Sequence, residues 1–182
     1  MRGRRQERRD ERASFGARGD AARYQMREKL LSIGDDSWID DEAGEHVFKV
    51  NGKALRVRQT LVFEDLDGNA LCKIQERKLR VKDSMEIEGP DGERVAMVKK
   101  AMFTPLRARF DVKVEDGPDL RVQGNIVDHE YEIEADGTKI AEISKRWFRV
   151  RDTYGVEIAP GHDDVVVLAV AVAVDAMADR AD

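Results

Sequence analysis

From Tyr24 onward the chain alternates apolar and polar residues with a period of two, the spacing of a strand with one buried face. Seven glycine-containing breaks interrupt the alternation: Glu42-Ala43-Gly44, Asn51-Gly52, Asp67-Gly68, Asp91-Gly92, Asp116-Gly117, Asp136-Gly137 and Tyr154-Gly155. Asp-Gly and Asn-Gly suit tight hairpins because both residues tolerate positive φ. Short runs such as 61–63, 85–87, 107–114 and 131–133 lie between the breaks. About a dozen strands result, and regular short strands with such turns predict a sandwich or barrel.

The alternation also assigns faces. Leu79 and Val81 point one way from Lys78, Arg80 and Lys82, and the runs 107–110 and 148–151 follow the same rule. The runs 86–88, 132–134 and 156–158 supply acidic rows that an antiparallel sheet can set against the basic ones. An internal repeat runs through the same stretches. Asp67-Gly68 with Leu71 and Ile74 matches Asp136-Gly137 with Ile140 and Ile143, and Asp91-Gly92 with Val95 and Val98 is a third copy. The irregular spacing of the copies excludes a solenoid. It reads as one hairpin pattern reused around a closed sheet.

The C-terminus departs from this pattern. Asp163-Asp164 precedes an unbroken apolar run, Val165 to Val174, followed by Asp175 and an alanine-rich tail. Valine favours strands. The absence of turn residues, the aspartates placed as an N-cap, and the alanines favour a helix over about 163–178. A helix apolar on all sides must be buried on all sides, and an aliphatic barrel needs a filling. The helix is therefore expected as the plug of the barrel. At ten residues, the run falls short of the roughly 20 needed to cross a membrane.

Composition narrows the class. Of 182 residues, 38% are charged and 6% aromatic, so the core is aliphatic and the surface carries both signs. The first 23 residues hold eight arginines and four acids, a charge of +4, which leaves −9 for the remainder of the −5 total. We read 1–23 as a disordered arm and 24–182 as a single domain. The arm lacks the apolar stretch of a secretory signal. Cys72 is the one cysteine, so no internal disulfide forms and a reducing, cytoplasmic setting is expected.

Chemical motifs are missing. The sequence has no phosphate-binding glycine loop, no dinucleotide fingerprint and no nucleophile elbow. His46, His129 and His162 are scattered and do not match zinc-ligand spacing. Cys72, within a predicted strand, reads as an inert thiol. His129 reads as a solvated turn residue, and Asp40-Asp41-Glu42 as a turn rather than a calcium loop. Trp147 falls on the predicted face of Arg149, where packing at the barrel rim competes with a ligand platform. No enzyme, cofactor or metal is expected.

Several segments carry a family resemblance: Tyr24 to Leu30, Trp38 to Gly44, Val50 to Lys53, Ile143 to Trp147 and Asp152 to Val156, leading into the apolar run and Asp175. In order and number they resemble the LURP-one-related family, which shares the tubby-like fold with phospholipid scramblases. The resemblance implies a twelve-stranded barrel around a central C-terminal helix, and it carries over no site residue. It suggests a non-catalytic binding module. The candidate surface for an anionic phospholipid is the set Arg77, Lys78, Arg80, Lys82, Arg107, Arg109, Lys145, Arg146, Arg149 and Arg151, with Lys99 and Lys100 nearby in the pattern. Such a protein would be cytoplasmic and at most peripheral to a membrane. The competing reading of these cations is a solvated ion-pair lattice, which the −9 of the domain favours. Competing partners are an unidentified protein or, through the arm, nucleic acid.

Overall fold

The computed structural model describes residues 21–27, 36–55, 58–77, 83–104, 106–147 and 152–178. Among these, twelve strands form a closed antiparallel barrel: β1 (Ala22–Arg27), β2 (Ser37–Asp41), β3 (His46–Leu55), β4 (Arg58–Glu64), β5 (Ala70–Glu76), β6 (Ser84–Glu88), β7 (Arg94–Thr104), β8 (Arg107–Val114), β9 (Leu120–Asn125), β10 (Glu130–Ala135), β11 (Thr138–Ser144) and β12 (Thr153–Ile158). Each strand pairs with its neighbours in sequence. Closure comes from β1 against β12, in register from Ala22↔Ile158 to Arg27↔Thr153. A closed barrel leaves no unpaired edge.

Alternation builds the wall as the sequence predicts. In β8, Ala108, Phe110 and Val112 are buried while Arg107, Arg109 and Lys113 are exposed. In β10, Tyr131, Ile133 and Ala135 are buried between partly exposed glutamates. The inward residues meet α1 (Asp164–Ala178), which is buried from Val167 to Met177 and shares the core cluster through Val167–Val170, Val172–Val174, Ala176 and Met177. Asp163 caps the helix, its Oδ1 accepting from the Val166 amide at 3.1 Å. The plug predicted from the apolar run is therefore present.

Three hairpins repeat one turn. Asp41, Asp65 and Gly89 each donate their amide to the carbonyl four residues on, at 2.8–3.0 Å. In the first two, the aspartate Oδ1 also accepts two amides of the turn. In the third, a Cβ added at Gly89 would lie 1.9 Å from the Glu93 carboxylate, which fills the room an aspartate would need. A register shift precedes these turns at Ile39/Asp40, Phe63/Glu64 and Ile87/Glu88, and another, at Ile133/Glu134, precedes the Asp136-Gly137 turn. The internal repeat is this bulge-and-turn unit.

Two expected turns are corrected. Asn51-Gly52 lies inside β3, paired with Val62 and Leu61, and Tyr154-Gly155 lies inside β12. At both places the cross-strand ladder continues through a residue that merely tolerates a turn. The chain reverses later, between Leu55 and Arg58. The β12 glycine sits in a strand buried along its whole length, against which a single-turn 3₁₀ helix (Lys145–Trp147) packs. A missing side chain in a strand permits such an approach. The predicted rows Lys78–Lys82 and Phe148–Arg151, and the arm over 1–20, lie outside the described residues. Arg23 belongs to β1.

Candidate functional site

Up-and-down connectivity sorts the connections into two sets. The helix enters the barrel at the end where β2–β3, β4–β5, β6–β7, β8–β9 and β10–β11 are joined, and leaves at the other. Connections at the entry end, including that from β12 to α1, hold eleven carboxylates: Glu42, Glu45, Asp65, Asp67, Asp91, Glu93, Glu115, Asp116, Asp119, Asp136 and Asp163. They hold no Lys or Arg. Among the described residues, the exit-end connections hold three cations, Arg77, Lys145 and Arg146. Four described acids accompany them: Asp36, Asp83, Asp128 and Asp152. Among the described residues, the entry-end connections are thus the strongly acidic ones.

Arg77, Arg107, Arg109, Lys145 and Arg146 are the candidate cations within the described residues. They do not converge into one pocket. Arg77 follows β5, Arg107 and Arg109 open β8, and Lys145 and Arg146 follow β11, so they are spread around the exit rim. Three have loose carboxylate partners: Glu86 at 3.5 Å from Arg77, Asp111 at 3.8 Å from Arg109, and Glu130 at 3.5 Å from Arg146. Lys100 lies 3.6 Å from Asp83, and Lys99 is exposed on β7. Lys78, Arg80, Lys82, Arg149 and Arg151 lie outside the described residues.

The expected match of acidic rows to basic rows fails on one wall. Glu132, Glu142 and Glu157 stand directly opposite one another across β10, β11 and β12. Like charges so placed repel. Arg23 relieves the row at Glu157, 2.6 Å away, and Lys139 relieves it at Glu142, 2.7 Å away. Gln123 donates to Glu132 and Glu134. Grooves on the outer wall are of mixed sign. One, of about 490 Å³, sets Lys99, Lys113 and Arg121 against Asp111, Asp119, Glu134 and Asp136.

The exit rim also carries apolar side chains, which the sequence reading did not single out. Of five large apolar residues exposed among the described ones, three lie there: Leu106 (77% exposed), Val127 (51%) and Met102 (45%). Leu106 joins β7 to β8, Val127 lies between β9 and β10, and Trp147 follows β11. Trp147 lies in the 3₁₀ helix rather than in a strand, and it lines an outer groove with Arg23, Tyr24 and Glu157.

Inside the barrel, the polar chemistry gathers on the helix. All three tyrosines of the chain donate to its aspartates. Tyr24 Oη bonds Asp164 Oδ2 at 2.6 Å near the entry end. Near the exit, Tyr131 Oη bonds Asp175 Oδ1 at 3.4 Å and Tyr154 Oη bonds Oδ2. His129 is not the solvated turn residue expected. Its side chain is 14% exposed and its Nδ1 lies 3.5 Å from Asp175 Oδ1, without hydrogen-bond geometry. The ring stacks on Tyr154, with centroids 4.2 Å apart. Burial, with the Asp175 charge added, pushes the Tyr131 hydroxyl well above its ordinary pKa. Cys72 is buried in β5, and burial pushes its thiol up to about 12, the behaviour of an unreactive thiol. Among the described residues no group of three or more His, Cys, Asp or Glu is arranged to hold a metal. No helix among them is long and apolar enough to cross a membrane.

A closed up-and-down barrel, filled by its own C-terminal helix and pinned to it by tyrosine–aspartate bonds, defines the class as a helix-plugged barrel domain. The chain belongs to the LURP-one-related family, whose pattern matches residues 22–175. An X-ray structure of a protein from Arabidopsis thaliana is similar in fold. That likeness has a TM-score of 0.64 at 16% sequence identity, over 89% of this chain and 92% of that one. No curated protein matches the sequence.

Proposed function

We propose that this LURP-one-related domain is a non-catalytic binding module that recognises anionic phospholipid headgroups with its exit rim. The observation that carries the reading is the sorting of charge among the described residues: the connections at one end hold eleven carboxylates and no Lys or Arg, whereas the candidate cations Arg77, Arg107, Arg109, Lys145 and Arg146 all lie toward the other. Each cation held near an anionic leaflet contributes about 1 kcal/mol, so four or five suffice for weak, reversible attachment. The carboxylates at the far end stay out of range at physiological salt, where the Debye length is about 8 Å. The reading assigns the buried His129, Tyr131, Tyr154 and Asp175 to anchoring the helix, since they bond to and stack on one another inside the wall.

The test is co-flotation of the purified protein with vesicles, neutral or containing phosphatidylserine, at low and physiological salt. Salt-sensitive flotation with the anionic vesicles, weakened in an Arg77→Gln, Arg107→Gln, Arg146→Gln variant, is expected. No flotation under any condition would overturn the reading and move the search to a protein partner.

A further inference from the structure

Helix anchoring accounts for Tyr154, whose hydroxyl donates to Asp175 Oδ2, but it leaves two polar atoms poorly used. The Tyr131 hydroxyl reaches Asp175 Oδ1 over 3.4 Å, whereas an O–H···O bond ordinarily spans about 2.5–3.0 Å. His129 Nδ1 lies 3.5 Å from the same oxygen and is buried without a hydrogen-bond partner. Buried polar side-chain atoms are rarely left so. A phenol and an imidazole thus face one carboxylate oxygen at spacings wide for hydrogen bonding. Those spacings suit metal ligands instead. Donors about 2.1 Å from a tetrahedral ion stand about 3.4 Å apart, the separation both pairs already have. Once tyrosine hydroxyls are counted as donors, this cluster has the composition of a three-ligand site.

We propose that Asp175 Oδ1, His129 Nδ1 and Tyr131 Oη bind a divalent transition-metal cation of the zinc class. The inference is independent of headgroup recognition and needs no residue of the basic rim. Binding moves one proton from Tyr131 Oη to solvent. The carboxylate and the phenolate then supply two negative charges and the neutral imidazole none, so a divalent cation makes the buried set neutral. An imidazole among oxygen donors suits zinc, copper or iron better than magnesium or calcium. Tyr154 orients two of the ligands: its hydroxyl holds Asp175 Oδ2 and its ring stacks on His129, with centroids 4.2 Å apart. The cation joins the β9–β10 turn, β10 and the central helix, so it reinforces the plug rather than displacing it. Entry is past His129, whose side chain keeps 14% of its surface exposed.

The test uses the full chain, freed of metal with a chelator and titrated with Co²⁺, whose tetrahedral complexes absorb visible light far more strongly than its octahedral ones. One equivalent of Co²⁺ per chain should give the intense tetrahedral spectrum. Zn²⁺ should abolish that spectrum by displacement, and Mg²⁺ should leave it unchanged. Zn²⁺ should also raise the melting temperature by roughly 5 °C. His129→Gln and Tyr131→Phe should each weaken Co²⁺ binding about tenfold or more. Tyr24→Phe removes a phenol bonded to Asp164 at the other end of the helix and should bind Co²⁺ like the wild type. Circular dichroism shows which variants are folded, and the wild-type titration decides the matter even if one is not. Absence of the tetrahedral spectrum in the wild type would overturn the proposal. So would a spectrum that survives undiminished in both His129→Gln and Tyr131→Phe, which would place the ion elsewhere on the chain.

Discussion

At Asp175 an otherwise apolar helix carries a carboxylate into the barrel, where two tyrosine hydroxyls bond to it and a histidine ring lies 3.5 Å away. Truncation would remove the acceptor that those groups share, each loss carrying a penalty of about 1–3 kcal/mol. Asp175→Ala should therefore lower unfolding stability by about 3–5 kcal/mol, and Asp175→Asn, which keeps an acceptor, by about 1 kcal/mol. Urea denaturation with circular dichroism would measure both, and equal effects would mean that the carboxylate is filling space rather than bonding. Tyr131 and Cys72 add a pH dependence with a definite sign. Both hold their protons more tightly in the folded chain than in the unfolded one, through burial first and, for Tyr131, the Asp175 charge second. The stability they contribute is complete below their unfolded values, near 9 for the thiol and 10 for the phenol, and is lost as pH rises through the higher folded values. The urea midpoint should hold steady from neutral pH to about pH 9 and fall by about pH 10.5. A Tyr131→Phe, Cys72→Ala variant should show a shallower alkaline fall. This cluster was not legible in the sequence, because its members come from the β9–β10 turn, two strands and a distant helix. The signal that could have found it was Asp175 itself, a charge closing an apolar run that had to be buried.

At the level of elements, much of the fold was legible. Strict alternation in β8 and β10 placed each residue on its side of the wall, and the unbroken apolar run identified the plug. Turn residues were less informative, since Asn51-Gly52 and Tyr154-Gly155 are both absorbed into continuous ladders. Gly124 gave no such signal, yet it is the more constrained position. Its φ is 144°, and a Cβ there would lie 2.6–2.8 Å from the Glu130 carbonyl and from Tyr131, at the start of the strand that carries the Asp175 anchor. Neither neighbour is a flexible side-chain tip. Gly44, at φ 83°, opens onto free space. Gly44→Ala should thus cost about 1 kcal/mol, the left-handed penalty alone, and Gly124→Ala about 3 kcal/mol, with the β9–β10 register disturbed. Thermal melts of the two variants side by side decide this. Similar losses would show that the wall yields at Gly124.

Across the whole molecule, charge sorting arises partly from turn chemistry. The entry-end hairpins use Asp for its bonds to turn amides, as at Asp41 and Asp65, so tight turns make that end acidic. The exit-end connections include no Asp-Gly or Asn-Gly pair and are free to be basic. This was written in the sequence but could be read only once alternate connections were assigned to opposite ends. The central helix reinforces the asymmetry, with its positive N-terminus among carboxylates and its negative C-terminus toward the cations. The helix is about 22 Å long, which sets the distance between the two fields. At about 0.15 M salt the Debye length is about 8 Å, so a membrane facing the exit rim does not sense the acidic end; at about 0.01 M it is about 30 Å and the whole negative molecule is felt. Replacing Asp67, Asp91 and Asp116 with serine should therefore strengthen binding to phosphatidylserine vesicles at about 0.01 M salt, by several-fold, and leave it nearly unchanged at about 0.15 M. Parallel flotation titrations of wild type and variant would show it. An equal gain at both salt concentrations would place the acidic end near the bilayer, and the barrel would then lie on its side rather than stand on its basic rim.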